Sequence, residues 1–136
     1  MAGYSGTPLL KKLGIKEGMR MFLHQSPPAY FDWLDPLPPD VYVHEKLSGK
    51  FDFVHIFVKD RKTFSSTLVK TKKFLESDGM IWVSWPKKSS GVVTDLDENV
   101  IRDFGLRSGL VDVKVCAVDE TWSGLKFVIP VAERSK

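Results

Sequence analysis

The sequence predicts an α/β fold in which helices cover both faces of a mostly parallel sheet, closed at its end by an antiparallel hairpin. Three observations carry this. Short apolar runs alternate with segments of helical spacing. The run from Phe51 to Val58 is almost continuously apolar, as a central strand covered on both faces must be. The last two extended runs follow one another with only a short polar stretch between them.

Composition agrees with one such domain over residues 1–136. Hydrophobic residues make up 43% and charged residues 27%, ordinary values for a folded globular chain. The single cysteine, Cys116, excludes an internal disulfide and reads as a buried, inert thiol. No apolar run approaches the roughly 20 residues that cross a bilayer, and no signal-peptide core opens the chain, so a cytoplasmic protein is expected.

Taken in order, residues 4–6 are a lead-in. Thr7 reads as an N-cap with Pro8 at the first helical position, and Gly14 closes a short helix carrying Leu9, Leu10 and Leu13. Gly18 turns into a strand over 20–24. Ser26 is placed to cap the next helix, which has Pro27 in its first turn and Tyr30, Trp33, Leu34 and Leu37 on one face. Asp35 to Asp40, rich in proline, ends that helix, and 41–45 forms a second strand.

After the strand over 51–58, Asp60 caps a helix that runs to about Ser77, with Phe64, Leu68 and Leu75 inward and Gly79 as its C′ residue. A buried strand over 80–85 follows, then a polar loop over 86–91. Next comes a helix over 97–108, with Asp95 and Glu98 at capping-box spacing. Residues 111–118 and 125–129 flank the turn 119–124 of the closing hairpin.

One connection is irregular. Only residues 46–50 separate the strand ending at Glu45 from the one starting at Phe51, too few for a helical crossover. Five to seven extended residues span roughly 17 to 24 Å, enough for a bare chain to return beneath the sheet. An antiparallel hairpin around Ser48-Gly49 is the other solution; the compressed crossover is the reading adopted.

Three segments carry a resemblance: Lys16-Glu17-Gly18-Met19-Arg20, Phe51-Asp52-Phe53-Val54, and Leu75-Glu76-Ser77-Asp78-Gly79-Met80-Ile81-Trp82-Val83. In this order, and with the terminal hairpin, the chain resembles a class I S-adenosylmethionine-dependent methyltransferase lacking one strand–helix unit. The segments at 3–9, 83–88 and 113–126 are similar to a family of short, uncharacterised bacterial proteins. The resemblance implies a three-layer Rossmann-like sheet. It also implies a cofactor held by a glycine-rich loop after the first strand, with an acidic residue at the end of the second strand on its ribose. Glu45 stands at that acidic position.

The loop itself reads His24-Gln25-Ser26-Pro27-Pro28, and no glycine lies between Gly18 and Gly49. Glycines would let the backbone approach a ligand and free its N–H groups, whereas two prolines remove two of them. The expectation is therefore a binding protein that uses no cofactor and transfers no methyl group. The alternative is an S-adenosylmethionine-dependent methyltransferase with a glycine-free loop and Glu45 as a cofactor contact.

Ligands of an open parallel sheet sit beyond the carboxyl ends of its strands. That edge collects the candidate ligand-binding residues His24, Ser26, Lys59, Arg61, Ser84, Trp85, Lys87, Lys88, Glu120 and Trp122. Four of them are cationic, so a small anionic ligand or a protein partner is expected there. Trp85 and Trp122 should share this edge, with Asp119 or Glu120 accepting from an indole. His55, mid-strand, reads as a core histidine with a hydrogen-bond partner, and His44 as an edge residue. Three isolated histidines without a carboxylate spacing do not make a metal site. Lys70, Lys72 and Lys73 read as a solvated helix face, so nucleic acid is not an expected partner.

Overall fold

A computed structural model describes residues 8–134; the expected lead-in and Thr7 cap lie outside them. Six strands form one sheet: β1 (Arg20–His24), β2 (Tyr42–His44), β3 (Phe51–Phe57), β4 (Leu75–Pro86), β5 (Val111–Ala117) and β6 (Trp122–Val128). Their order is β2-β1-β3-β4-β6-β5. The first four run parallel, and the β5–β6 hairpin closes the sheet through β6, which lies antiparallel to both β4 and β5.

Four helices cover it: α1 (Leu9–Leu13), α2 (Tyr30–Leu34), α3 (Arg61–Lys72) and α4 (Glu98–Arg107). The strand alternation divides the core in two. Val54, Ile56, Ile81, Val83 and Phe127 pack with Phe64 and Leu68 of α3 and Ile101 of α4. On the other face, Phe53, Phe57 and Trp82 pack with Leu9 and Leu13 of α1 and Tyr30 and Leu34 of α2. The Trp82 indole N–H donates to the Leu13 carbonyl at 2.9 Å, fixing α1 to the sheet.

The irregular connection is a crossover, since β2 and β3 both lie parallel to β1 on either side of it. No helix covers the crossing; Arg20 pins it instead. Its guanidinium donates to the Lys50 carbonyl at 2.8 Å and the Ser48 carbonyl at 2.9 Å, and lies 4.8 Å from the centre of the Phe51 ring. Gly49 makes room for it. At φ +73° that residue sits in the left-handed region, and a Cβ there would press on the Arg20 guanidinium.

Several boundaries differ from expectation for long-range reasons. Helix α3 stops at Lys72, not Ser77, because the Phe74 carbonyl accepts from the Phe51 amide at 2.7 Å and draws the chain into the sheet. Gly79 is therefore not a helix C′ residue. It lies where β4 jumps register, and a Cβ would come within 3.0 Å of the Phe51 carbonyl oxygen. Pro8 occupies the N-cap position of α1, one residue before its expected place.

Ser26 does not cap α2. That helix starts after Ala29, with the Tyr30 amide donating to the Pro27 carbonyl at 3.0 Å. At α4 the cap is Asp97, whose Oδ1 accepts from the Val100 amide at 2.8 Å, and not Asp95. Asp95 instead accepts from the Arg61 amide at 2.8 Å and so ties the approach to α4 onto the start of α3. The final turn is shorter than 119–124, since Asp119 Oδ1 accepts the amides of Thr121 and Trp122 and β6 begins at Trp122.

Candidate functional site

The chain leaves β1 toward α2 on one face and β3 toward α3 on the other, so the strand order reverses between β1 and β3. That is where an open α/β sheet forms its crevice. A cleft of about 510 Å³ opens there. Its walls are the loop 24–28 after β1, residues 57–60 after β3, Thr63 of α3 and Trp122 at the start of β6. Trp122 meets Phe57 edge-on, ring centres 5.0 Å apart, and so presents a rigid aromatic surface at the cleft.

The loop after β1 turns sharply at Gln25, whose φ is +56°. A left-handed conformation at a non-glycine residue costs about 1–3 kcal/mol. The chain thus keeps the bend that a glycine usually supplies, without glycine's open backbone. Pro27 and Pro28 contribute no N–H to the cleft. These residues do not fit a cofactor gripped through backbone amides of a glycine loop. What the loop offers is side chains: the imidazole of His24 and the hydroxyl of Ser26.

Charge at the cleft comes from Lys59, which is exposed, and from Asp60. Asp60 is committed locally. It accepts from the Thr63 amide at 2.8 Å, and that bond holds its carboxyl below the usual range. Lys59 is left as the cation facing outward.

His24 also borders a second space, a groove of about 420 Å³ between α3 and residues 45–47. Its Nε2 is buried and is the one such side-chain atom without a partner among the described residues. Burial, and then the nearby Lys70 charge, pull its pKa down, so the ring is neutral at pH 7. A buried, unpaired polar atom of this kind costs about 1–3 kcal/mol. Glu45, the residue matched to a ribose-binding acid, lines this groove and not the cleft.

Of the residues expected at the edge, His24, Ser26, Lys59 and Trp122 come together. The others do not line the cleft. Arg61 is turned away, with its Nε donating to the Asp95 carbonyl at 3.2 Å. Ser84 is fully buried and bonded to His55. Trp85 and Trp122 do share the edge, where Trp85 pairs with Ser123 and Pro86 with Trp122. Neighbouring strand positions point oppositely, however, so Trp85 is buried on the α3–α4 face while Trp122 packs toward α2. Lys87 is held at the turn by its amide, which donates to the Thr121 carbonyl at 2.7 Å. Lys88 opens an exposed 3-10 turn, and Glu120 is exposed at the hairpin tip. Neither rim indole bonds to Asp119 or Glu120 among the described residues; Asp119 is engaged by its own turn.

His55 is a core histidine. Its Nδ1 lies 2.9 Å from the Tyr30 hydroxyl and its Nε2 2.8 Å from the Ser84 hydroxyl. Burial lowers its pKa to about 3 and pushes the Tyr30 phenol up. A neutral imidazole accepts at one nitrogen and donates at the other, so the two hydroxyls satisfy it completely. Tyr30 opens α2 immediately after the cleft loop, and the network thereby fixes that loop against β3 and β4.

Elsewhere, burial raises the pKa of the half-buried Cys116 thiol. No group of three His, Cys, Asp or Glu side chains suited to a metal ion occurs among the described residues. No helix there is long and apolar enough to cross a membrane.

Residues 40–131 match the family model described as a protein of unknown function, DUF3052. No curated protein matches the sequence. Among solved structures, an S-adenosylmethionine-dependent methyltransferase from Aquifex aeolicus is similar at TM-score 0.61 and 13% identity, covering 89% of this chain and 88% of that one. Aeropyrum pernix fibrillarin, solved with natively bound S-adenosyl-L-methionine, gives 0.58 at 13% identity, covering 92% and 70%. Magnesium protoporphyrin IX methyltransferase from Synechocystis PCC 6803, solved with bound SAH, gives 0.55 at 12% identity, covering 89% and 78%. At such identities the likeness establishes a Rossmann-like methyltransferase fold.

Proposed function

The chain belongs to the DUF3052 family of proteins of unknown function, and from that premise we propose that it is a binding protein that holds a small anionic molecule in the cleft between β1 and β3 and transfers no methyl group. The observation that carries this is the wall of the cleft: side chains of His24, Ser26, Lys59 and Trp122 beside a loop whose two prolines offer no backbone donors. Lys59 supplies the attraction, the Ser26 hydroxyl a short-range donor, and Trp122 a surface against which the ligand loses water.

A thermal-shift panel of phosphates, nucleotides and carboxylates tests it. A ligand at ~100 times its dissociation constant adds about 2.7 kcal/mol, which moves the melting point of a domain this size by several degrees. Lys59→Ala and Trp122→Ala should each reduce the shift. No shift with any anion, or a shift that both variants leave intact, would sink the reading.

A second reading, S-adenosylmethionine binding, is favoured by the fold and by Glu45 standing just beyond the end of β2. When bound, that cofactor supplies an electrophilic methyl group. On this reading Glu45 holds the ribose hydroxyls, and Ser26 and His24 replace the absent amides. Calorimetry with the cofactor decides: binding that weakens in Glu45→Ala supports it, and no heat at millimolar cofactor removes it.

A further inference from the structure

A bulge in β5 brings two lysines face to face. Val111 stands opposite Val128 and Lys114 opposite Lys126, with the register shift between Asp112 and Lys114. Strand side chains alternate, so in a regular β5 Lys114 would point away from the face that Val111 takes. The extra residue, Val113, reverses that parity and turns Lys114 onto the same face. This is the α1 side of the sheet. Lys126 also stands opposite Trp82, and Val128 opposite Met80, both packed with the α1–α2 core. The Lys114 ammonium donates to the Lys12 carbonyl in the last turn of α1 at 3.2 Å, which holds it over the sheet.

Like charges directly opposite one another destabilise a sheet. Guarding the edge accounts for Lys114, since β5 is the outermost strand. It does not account for Lys126, one strand in. Burial, and then the charges of Lys114 and Lys16, push the Lys126 pKa down. Among the described residues no carboxylate forms an ion pair with Lys16, Lys114 or Lys126. Beside the lysines, Met80, Val128 and Val111 make a half-buried apolar row across the three strands.

We propose that the α1-side face of the β5–β6 hairpin docks an acidic segment of a partner protein, its carboxylates over Lys114 and Lys126 and its apolar side chains on the row beside them. The opposed lysines call for an anionic partner, because a carboxylate between them turns repulsion into attraction. The apolar row selects a protein over a nucleic acid, since it holds no aromatic ring on which a base could stack. This face is separate from the cleft between β1 and β3, so either reading can fail without the other.

Fluorescence anisotropy at low salt tests it with two labelled probes: a capped peptide alternating Glu and Val, and an oligothymidylate of the same charge. The peptide should bind more tightly than the oligonucleotide. Lys126→Met, which keeps the aliphatic stem and removes the charge, should weaken the peptide about fivefold, the size of one partly exposed ion pair. Lys62→Met, on the exposed start of α3, should leave it unchanged. Lys126→Met should also melt no lower than the unaltered protein, because it relieves the repulsion from Lys114. A lower melting point would show that the lysine serves the fold and would overturn the proposal. So would equal losses in both variants, or no peptide binding at millimolar concentration. Tighter binding of the oligothymidylate would overturn a protein partner in favour of a nucleic acid.

Discussion

On the side of β4, β6 and β5, the sheet face is covered by α4, an amphipathic helix with Ile101 and Gly105 buried against it. On the side of β1 and β2, the same face has only the connection 45–50, one packed leucine and an arginine that holds the chain in place. The first region is closed by apolar fit. Gly105 is there because any Cβ would enter the Phe127 ring. The second is closed by charged hydrogen bonds to backbone carbonyls, which fix a path without filling the volume beneath it. The difference teaches where room for a ligand comes from: both the groove and the cleft lie in the half that lacks its strand–helix unit.

His55 sits between these halves, and its pH response is the largest effect expected. Its folded pKa of about 3 lies below the ordinary 6.5, so the unfolded chain binds the extra proton. The stabilisation is complete above pH 6.5 and is lost as pH falls toward 3, at up to about 1.4 kcal/mol per unit. Roughly 4 kcal/mol should disappear across that window. Urea midpoints at pH 7, 5 and 4 measure it, and His55→Gln should give a flatter curve. An equal slope in both proteins would show that His55 does not carry the pH response.

Next in size, Gly105→Val should destabilise by about 3 kcal/mol, since the close-packed half cannot admit the added carbons. Leu47→Ala in the open half should cost less, about 1–2 kcal/mol, because its side chain is only partly buried. Chemical denaturation of both variants would break the comparison if the order came out reversed.

The two arginines sharpen it further. Arg20→Met removes charged bonds to two carbonyls and should cost about 2 kcal/mol. Amide exchange in residues 45–50 should speed up as well. Arg102 bridges Glu98 at 2.6 Å and Asp112 at 2.9 Å, but solvent screens such surface ion pairs, so Arg102→Met should cost about 1 kcal/mol or less. If Arg102 mattered more, the crossover would not depend on its clamp. The smallest effect belongs to the cleft loop. Gln25→Gly should raise stability by about 1 kcal/mol as the left-handed strain is relieved. A loss of stability there would mean that the Gln25 side chain holds the loop.

Much of this architecture is legible in the sequence because it is written in local pattern. The strand bounds at Arg20 and His24, the Asp60 cap and the buried β3 run all follow from periodicity and capping chemistry. The shortness of 46–50 excludes a helical crossover, but it leaves a bare crossover and a hairpin equally open, and the methyltransferase resemblance favours the first. What was not legible depends on partners distant in sequence. Phe51 decides where α3 ends, and Arg61 takes Asp95 away from α4.

The site divides in the same way. The sheet edge could be read, since carboxyl ends follow from strand direction. Which face each side chain takes could not, and that parity separates Trp85 from Trp122. His24 was visible as a residue at a strand end, but its unpartnered nitrogen depends on packing from α3 and the crossover. Gln25 carries no sequence sign of its left-handed turn, since glutamine is not the residue chosen for that conformation.

The central claim is that ligand binding belongs to the reduced half, at the cleft between β1 and β3. Nitrogen–proton shift mapping with adenosine monophosphate tests it directly, because three indoles report on three places. Trp122 lines the cleft, Trp82 lies in the core beneath α1, and Trp85 is buried on the opposite face. The account predicts saturable shifts at the amides of Gln25, Ser26, Lys59 and Asp60 and at the Trp122 indole, with the Trp82 and Trp85 indoles little changed. Shifts centred on Trp85, Lys87 and Lys88, or none at millimolar ligand, would contradict it.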